Sequence, residues 1–289
     1  MKIDKILIVV ILLVGFLANI ASGQNAYKMP KKDKFEFGIF VGASNYEGDL
    51  EENAVNLPCT QLGVGGFVRY NLTNNLSLRF GMDYGNINDA DSLATSYWRR
   101  KRNLSFRSTI IDGYLGLEYY FANWAVGSAR KTYISPFLFG GIGAFNFNPQ
   151  AYYQGVWYDL QPLGTEGQGT LAYPDRQPYA LTQIYIPFGG GLRVNLGPTW
   201  FLSLECRASK TFTDYLDDVS LTYASPEVLL AQHGYLAVAL ANRSEENGKI
   251  YPDQTGNHRG GYTITTDWYF FTGITISHTF KSKSPCYSF

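Results

Sequence analysis

The stretch Thr109-Ile110-Ile111-Asp112-Gly113-Tyr114-Leu115-Gly116-Leu117-Glu118-Tyr119-Tyr120-Phe121 decides the fold. Thr109, Ile111, Gly113, Leu115, Leu117, Tyr119 and Phe121 alternate with Asp112, Tyr114, Gly116, Glu118 and Tyr120. A period of two is that of a strand with one apolar face and one polar or small face. The run is longer than the roughly 9–11 residues that carry a strand across a bilayer.

The same alternation recurs outward from it. Upstream it marks strands near 35–43, 62–70 and 76–87, with this one near 106–121. Downstream it marks strands near 132–147, 182–195, 200–212 and 266–280, the first of them weaker because both its faces are apolar. The connections alternate between long (44–61, 88–105, 148–181, 213–265) and short (71–75, 122–131, 196–199). Long external loops facing short periplasmic turns mark an outer-membrane barrel, and Tyr, Trp and Phe near the strand ends suit its two aromatic girdles. The expected fold is all-β, an eight-stranded antiparallel transmembrane β-barrel. A soluble barrel or sandwich would put its apolar faces inside and its polar faces outside. Here the charged face is also the glycine-rich one.

Composition agrees. The 289 residues carry 24 basic and 24 acidic side chains, which argues against a general nucleic-acid binder. Only 17% are charged, while 30 Gly, 22 Tyr and 19 Phe favour an aromatic-rich β protein over disorder. Residues 1–23 read as a signal peptide: Lys2 and Lys5, the apolar run Ile6 to Ile20, then Ala21-Ser22-Gly23. The chain is thus expected to be exported to the cell outer membrane. A periplasmic segment 24–34 would precede the barrel at 35–280, and a periplasmic tail 281–289 would follow it.

The inward face of these strands holds Glu36, Arg69, Arg79, Asp83, Asp112, Glu118, Arg193, Glu205 and Arg207. Buried charges persist only when paired, and eight strands leave an interior that side chains fill. The expectation is a salt-bridged plug rather than a channel. Gly189-Gly190-Gly191, inside a strand, reads as a close-packed spot rather than a phosphate loop. Cys59, Cys206 and Cys286 fall at three membrane depths, so no disulfide joins them.

Other clusters lie in the loops. Asp49, Asp214, Asp217 and Asp218 are weak calcium candidates, because clustered carboxylates offer oxygen ligands without the spacing of an EF-hand; the competing reading is a hydrogen-bonded loop base. The basic run Arg99, Arg100, Lys101 and Arg102 could meet lipopolysaccharide phosphates, or stand as a solvated tip, or serve acidic loops nearby. Ser225-Pro226-Glu227 reads as a helix start, with the apolar residues after it packing over the barrel mouth. No catalytic residues are expected. Ser277 and His278 are adjacent in a strand and point to opposite faces, so they form no nucleophile–base pair. No cofactor is implied.

Five segments together resemble a known family: Gly42 to Leu50, Leu163 to Gly169, Pro187 to Gly191, Thr211 to Ser220 and Asp267 to Phe271. They resemble an outer-membrane β-barrel family of largely unknown function that includes the PorG-like barrel of the type IX secretion system. The resemblance covers roughly residues 35–280. It implies a small barrel, a non-enzymatic accessory role in protein secretion and contact with periplasmic ring proteins. The docking candidates would be residues 24–34, with Lys28, Lys31, Lys32 and Lys34, the turn 122–131 and the tail. The alternative is a general surface barrel that binds a ligand or lipopolysaccharide through its loops, or stabilises the outer membrane.

Overall fold

The computed structural model describes residues 35–51, 56–73, 75–121, 134–197, 199–247, 253–260 and 266–280. The expected signal peptide 1–23, the segment 24–34, the expected turn 122–131, residues 132–133 and the tail with Cys286 lie outside the described residues.

The strands are β1 (Phe35–Glu47), β2 (Gln61–Asn71), β3 (Leu76–Ala90), β4 (Ser105–Tyr120), β5 (Ile134–Tyr153), β6 (Val156–Asp159), β7 (Thr182–Asn195), β8 (Trp200–Thr211) and β9 (Trp268–Thr279). The sheet order is β4-β3-β2-β1-β9-β8-β7-β5, and a β4–β5 pairing joins its two ends. Every neighbouring pair is antiparallel. Eight strands therefore close on themselves and leave no unpaired edge, as a lipid environment requires. The short β6 pairs only with the upper end of β5 and stands outside the closed ring.

The alternation read in the sequence follows from what each face meets. On β1, Phe35, Phe37, Ile39 and Val41 are exposed, while Glu36 and Phe40 are buried. The outward row continues around the barrel through Leu62, Met82, Leu115, Ile142, Ile184, Leu204 and Ile274, all exposed. So wide an apolar surface is unfavourable in water and favourable in hydrocarbon. Aromatic side chains bound the belt. Tyr119 packs against Phe121, and Trp200 against His278, on one rim. Phe188 packs against Trp268 on the other, where the Lys210 ammonium sits 4.7 Å from the Trp268 ring.

Glycines on the inward face make room for rings from neighbouring strands. A Cβ on Gly38 would lie 2.2 Å from the Phe67 ring, and one on Gly189 would lie 2.1 Å from the Cys206 carbonyl. Close packing is thus the use of Gly189 in the triple-glycine run. Beside that run, the β5–β7 ladder breaks between Gly140–Phe188 and Gly143–Tyr185. Pro187 lies within this gap and has no N–H to donate.

The structure departs from the sequence reading at the loop ends of the strands. β1 reaches Glu47, β3 Ala90 and β5 Tyr153, each beyond the stretch where apolar residues alternate. Above the belt the outward positions become polar, which hides the alternation while the ladder continues. The basic run expected as a loop tip is a short helix, α1 (Tyr97–Arg102), capped by Asn103 in the left-handed region at φ 61°. The fourth long loop holds α2 (Pro226–Gln232) and α3 (Tyr235–Ala241). Ser225 precedes α2 without a side-chain cap bond; its hydroxyl donates to Glu227 instead.

The belt assignment carries a test. Ile274 lies in the middle of β9, opposite Val41 and Leu204. Ile274→Arg is expected to destabilise the folded protein by about 2–4 kcal/mol in urea titrations in lipid vesicles. A neutral or stabilising effect would contradict the belt.

Candidate functional site

Two regions hold the polar side chains singled out in the sequence: the barrel lumen and the cap built by the external loops.

In the lumen all nine inward charges are buried. Eight of them form one alternating sequence of ion pairs. Arg193 meets Glu36 at 2.7 Å, and Glu36 also meets Arg69. Arg69 meets Glu118, and Glu118 meets Arg79 at 2.9 Å. Arg79 meets Glu205 at 2.9 Å, Glu205 meets Arg207 at 3.9 Å, and Arg207 meets Asp83. The interior members thus each have two opposite charges beside them. That resolves a cross-strand conflict, since Arg69 and Arg79 stand directly opposite each other on β2 and β3. Glu118 lies between them, and the Phe67 ring lies 4.3 Å from one guanidinium carbon and 4.0 Å from the other. One hydroxyl bridges two members of the set: Tyr120 donates to Glu118 at 2.5 Å and accepts from Arg193 at 2.9 Å.

Asp112 stands apart. It lies directly opposite Asp83 and accepts the Tyr269 hydroxyl at 2.9 Å. Among the described residues none of the four lumen arginines forms an ion pair with it. The expected layer is therefore eight linked groups with a ninth beside them. Packed beside Arg207, Asp83 and Asp112 and on toward the loops, Phe40, Tyr114, Phe145, Phe147, Tyr185, Tyr269 and Phe271 fill the lumen in one buried cluster.

The cap was not legible as a unit. Its centre is Arg259, buried, whose guanidinium donates to the Asp218 carbonyl at 2.6 Å and the Ala241 carbonyl at 3.0 Å, and pairs with Glu166 at 3.4 Å. Glu166 also accepts the backbone N–H groups of Ser220 and Leu221. These contacts join the third loop to the fourth. Arg102 joins the rest: it pairs with Asp91 at 2.8 Å and donates to the carbonyls of Arg259 and Asp49. Arg102 thus serves inside the cap, as a partner of a nearby acidic side chain, which was one of the readings open for the basic run. Arg99 donates to the Leu50 carbonyl at 3.2 Å and Arg100 to the carbonyls of Ala94 and Thr95. Lys101 lies 5.2 Å from the exposed Trp98 ring.

Two of the calcium candidates, Asp217 and Asp218, are engaged within the protein. Asp218, in the left-handed region at φ 65°, accepts from Thr165 at 2.5 Å and from Tyr179 at 2.7 Å. Asp217 accepts the Tyr46 hydroxyl and the Val219 N–H. Among the described residues no group of three or more His, Cys, Asp or Glu side chains is arranged to hold a metal ion. Asp217 and Asp218 make the hydrogen bonds that a loop base would make. Ser277 is buried in the lumen while His278 packs against Trp200, the rings tilted by 59° with centroids 4.7 Å apart, so the two face apart. Cys59 is buried beside Asp89, and burial pushes its thiol up to about 12. Cys206 is exposed on the lipid face.

A family model described as a domain of unknown function, DUF6089, matches residues 10–229. The chain belongs to the DUF6089 family. A search of the curated proteins found no match. Among solved structures, this DUF6089 chain is similar to Neisserial surface protein A, at 9% identity and a TM-score of 0.40, over 85% of this chain and 97% of that one. OprG from Pseudomonas aeruginosa matches at 7% identity and a TM-score of 0.39, over 88% and 100%. Ail of Yersinia pestis matches at 10% identity and a TM-score of 0.38, over 86% and 99%.

The cap carboxylates give a pH dependence. Burial raises Asp214 to about 7, with Asp49 and Glu166 adding to the rise. Burial also raises Asp217 and Asp267 well above the usual carboxylate range, with the Asp49 charge adding to the rise of Asp217 and the Asp217 charge to that of Asp267. A carboxyl raised on folding stabilises the fold most below its unfolded value near 4, and that stabilisation is lost as pH rises through the folded value. For Asp214 the loss falls between about 4 and about 7. Amide exchange in residues 213–220, corrected for its intrinsic pH dependence, is expected to be better protected at pH 5 than at pH 8. Asp214→Asn should reduce the difference. Equal protection at both values would contradict it.

Proposed function

We propose that this chain is a non-enzymatic surface barrel of the outer membrane, exported by its signal peptide, whose working surface is the outside of the barrel and the cap. The observation that carries the reading is the alternating sequence of eight buried charges across the lumen, with aromatic rings packed beside it and on toward the loops. A filled interior leaves no water path for solutes. The cap stiffens the external loops, and an ordered loop surface loses less freedom when a partner binds. Outer-membrane lipid and lipopolysaccharide are the partners this reading names. Arg99, Arg100 and Lys101, on helix α1, are the members of the basic run left to meet such phosphates once Arg102 is assigned to the cap.

The accessory role in type IX secretion is the second reading. It is supported by the resemblance of the loop motifs to PorG-like barrels. Its periplasmic docking candidates lie outside the described residues.

Two measurements separate these readings from each other and from transport. In planar bilayers the purified protein is expected to show no conductance; steady single-channel steps would overturn the closed lumen. Deletion of the gene is expected to leave export of type IX cargo intact. A block in that export would favour the secretion reading.

A further inference from the structure

The outward face of β4, β5 and β6 changes character above the lipid belt. Within the belt Leu115 faces Ile142. Moving toward the loops, the cross-strand pairs become Ile111–Asn146, Thr109–Asn148 and Arg107–Gln150, then Gln150–Asp159 and Tyr152–Trp157. The polar side chains are joined into a ladder. Asn146 donates to Thr182 at 2.9 Å, and Asn148 to Asp159 at 2.9 Å. Gln150 donates to Asp159 at 2.6 Å and accepts from Arg107 at 3.0 Å. At the top, the Arg107 guanidinium carbon lies 3.6 Å from the centre of the Trp157 ring. Tyr152 lies beside that ring at 5.2 Å and 57°. Tyr152 is 47% exposed and Trp157 40% exposed.

We infer that this strip binds the saccharide portion of outer-leaflet glycolipid. Three observations point to that occupant. The first is height. At a rise of about 3.3 Å per residue and a tilt of about 40°, the stretch from Asn146 to Tyr152 climbs roughly 15 Å above the belt. Sugar rings attached to a lipid anchor occupy that zone, beyond the hydrocarbon. The second is chemistry. Exposed aromatic rings offer flat apolar surface to the C–H face of a pyranose. A pre-set row of amide, carboxylate and guanidinium groups offers paired donors and acceptors to adjacent hydroxyls. The ladder ties up the Arg107 Nε and one Asp159 oxygen, while both side chains remain exposed, so their other polar atoms can reach a ligand. The third is charge. Arg107 and Asp159 cancel, so the strip is suited to a neutral polyol rather than to a phosphate group. It is a different place from the basic helix α1.

The inference rests on the surface-barrel reading only for the leaflet that the strip meets. Its test does not use conductance or cargo export. The full chain, folded in detergent micelles, is titrated with lipid-free core oligosaccharide released from rough lipopolysaccharide by mild acid, and binding is followed by saturation-transfer NMR. Saturable binding is expected. Tyr152→Ala and Trp157→Ala should each weaken it roughly tenfold, the scale of an aromatic contact residue. Trp157→Phe should retain most of it, and Leu57→Ala, at an exposed position of the first external loop, should leave it unchanged. Both rings stand exposed at the hairpin tip, and heat-modifiable gel migration reports whether each variant is folded. If a Trp157 variant does not fold, Asp159→Asn replaces it, with loss of binding again expected. No saturable binding, binding indifferent to these substitutions, or displacement by inorganic pyrophosphate would overturn the proposal.

Discussion

The structure depends on the neutralisation of charge inside a closed ring of strands. Four arginines and five carboxylates are taken out of water there, and an unpaired charge in such a place is strongly destabilising. The order of the pairs settles the matter, because Arg193, Glu36, Arg69, Glu118, Arg79, Glu205, Arg207 and Asp83 alternate in sign. The contributing strands are β7, β1, β2, β4, β3 and β8, so the ion pairs reach across the lumen as well as around it. Backbone hydrogen bonds hold neighbouring strands together; these side chains tie together strands that do not touch. A filled lumen follows directly, and with it the assignment of function to the outer surface and the cap.

The cap applies the same device outside the membrane. Arg259 and Arg102 each draw carbonyl and carboxylate oxygens from separate loops. Guanidinium suits this use because its five donors are fixed in a plane and it does not lose its charge. Long loops that would be costly to order are thereby held by a few buried contacts. Acidic groups held in the same place become harder to ionise, which is why the cap carries a pH dependence. The outer face of the β5–β6 hairpin is rigid for a different reason: it continues the ladder of the barrel wall.

How far the sequence revealed this varies with the range of the interactions. Period-two alternation is set by what lies immediately on either side of a strand, and it was legible wherever one face meets lipid and the other meets charge or glycine, as on β1 and β4. It weakened on β5, where Phe137, Phe139, Phe145 and Phe147 fill the lumen with apolar side chains, so both faces read alike. The lumen charges could be enumerated because each falls on an inward position of an alternating run. Their partners could not be read, since pairs such as Arg79–Glu205 join residues 126 positions apart. The cap was less legible still. Arg259 carries no local signal, and Glu166 was visible only inside a family motif. In the sequence Arg102 is one more member of a basic run, and only the fold brings Asp91 beside it. The short β6 lies in a stretch too brief to show a period.

The most direct test of the central claim is a double-mutant cycle on Arg79 and Glu205, measured by urea unfolding in lipid vesicles. Arg79→Ala alone is expected to cost on the order of 3–5 kcal/mol, because it leaves buried carboxylates without their cation. Adding Glu205→Gln should recover part of that loss, with a coupling of at least about 1 kcal/mol between the two sites. Purely additive effects, or an unfolding curve unchanged by Arg79→Ala, would contradict a lumen held together by its ion pairs.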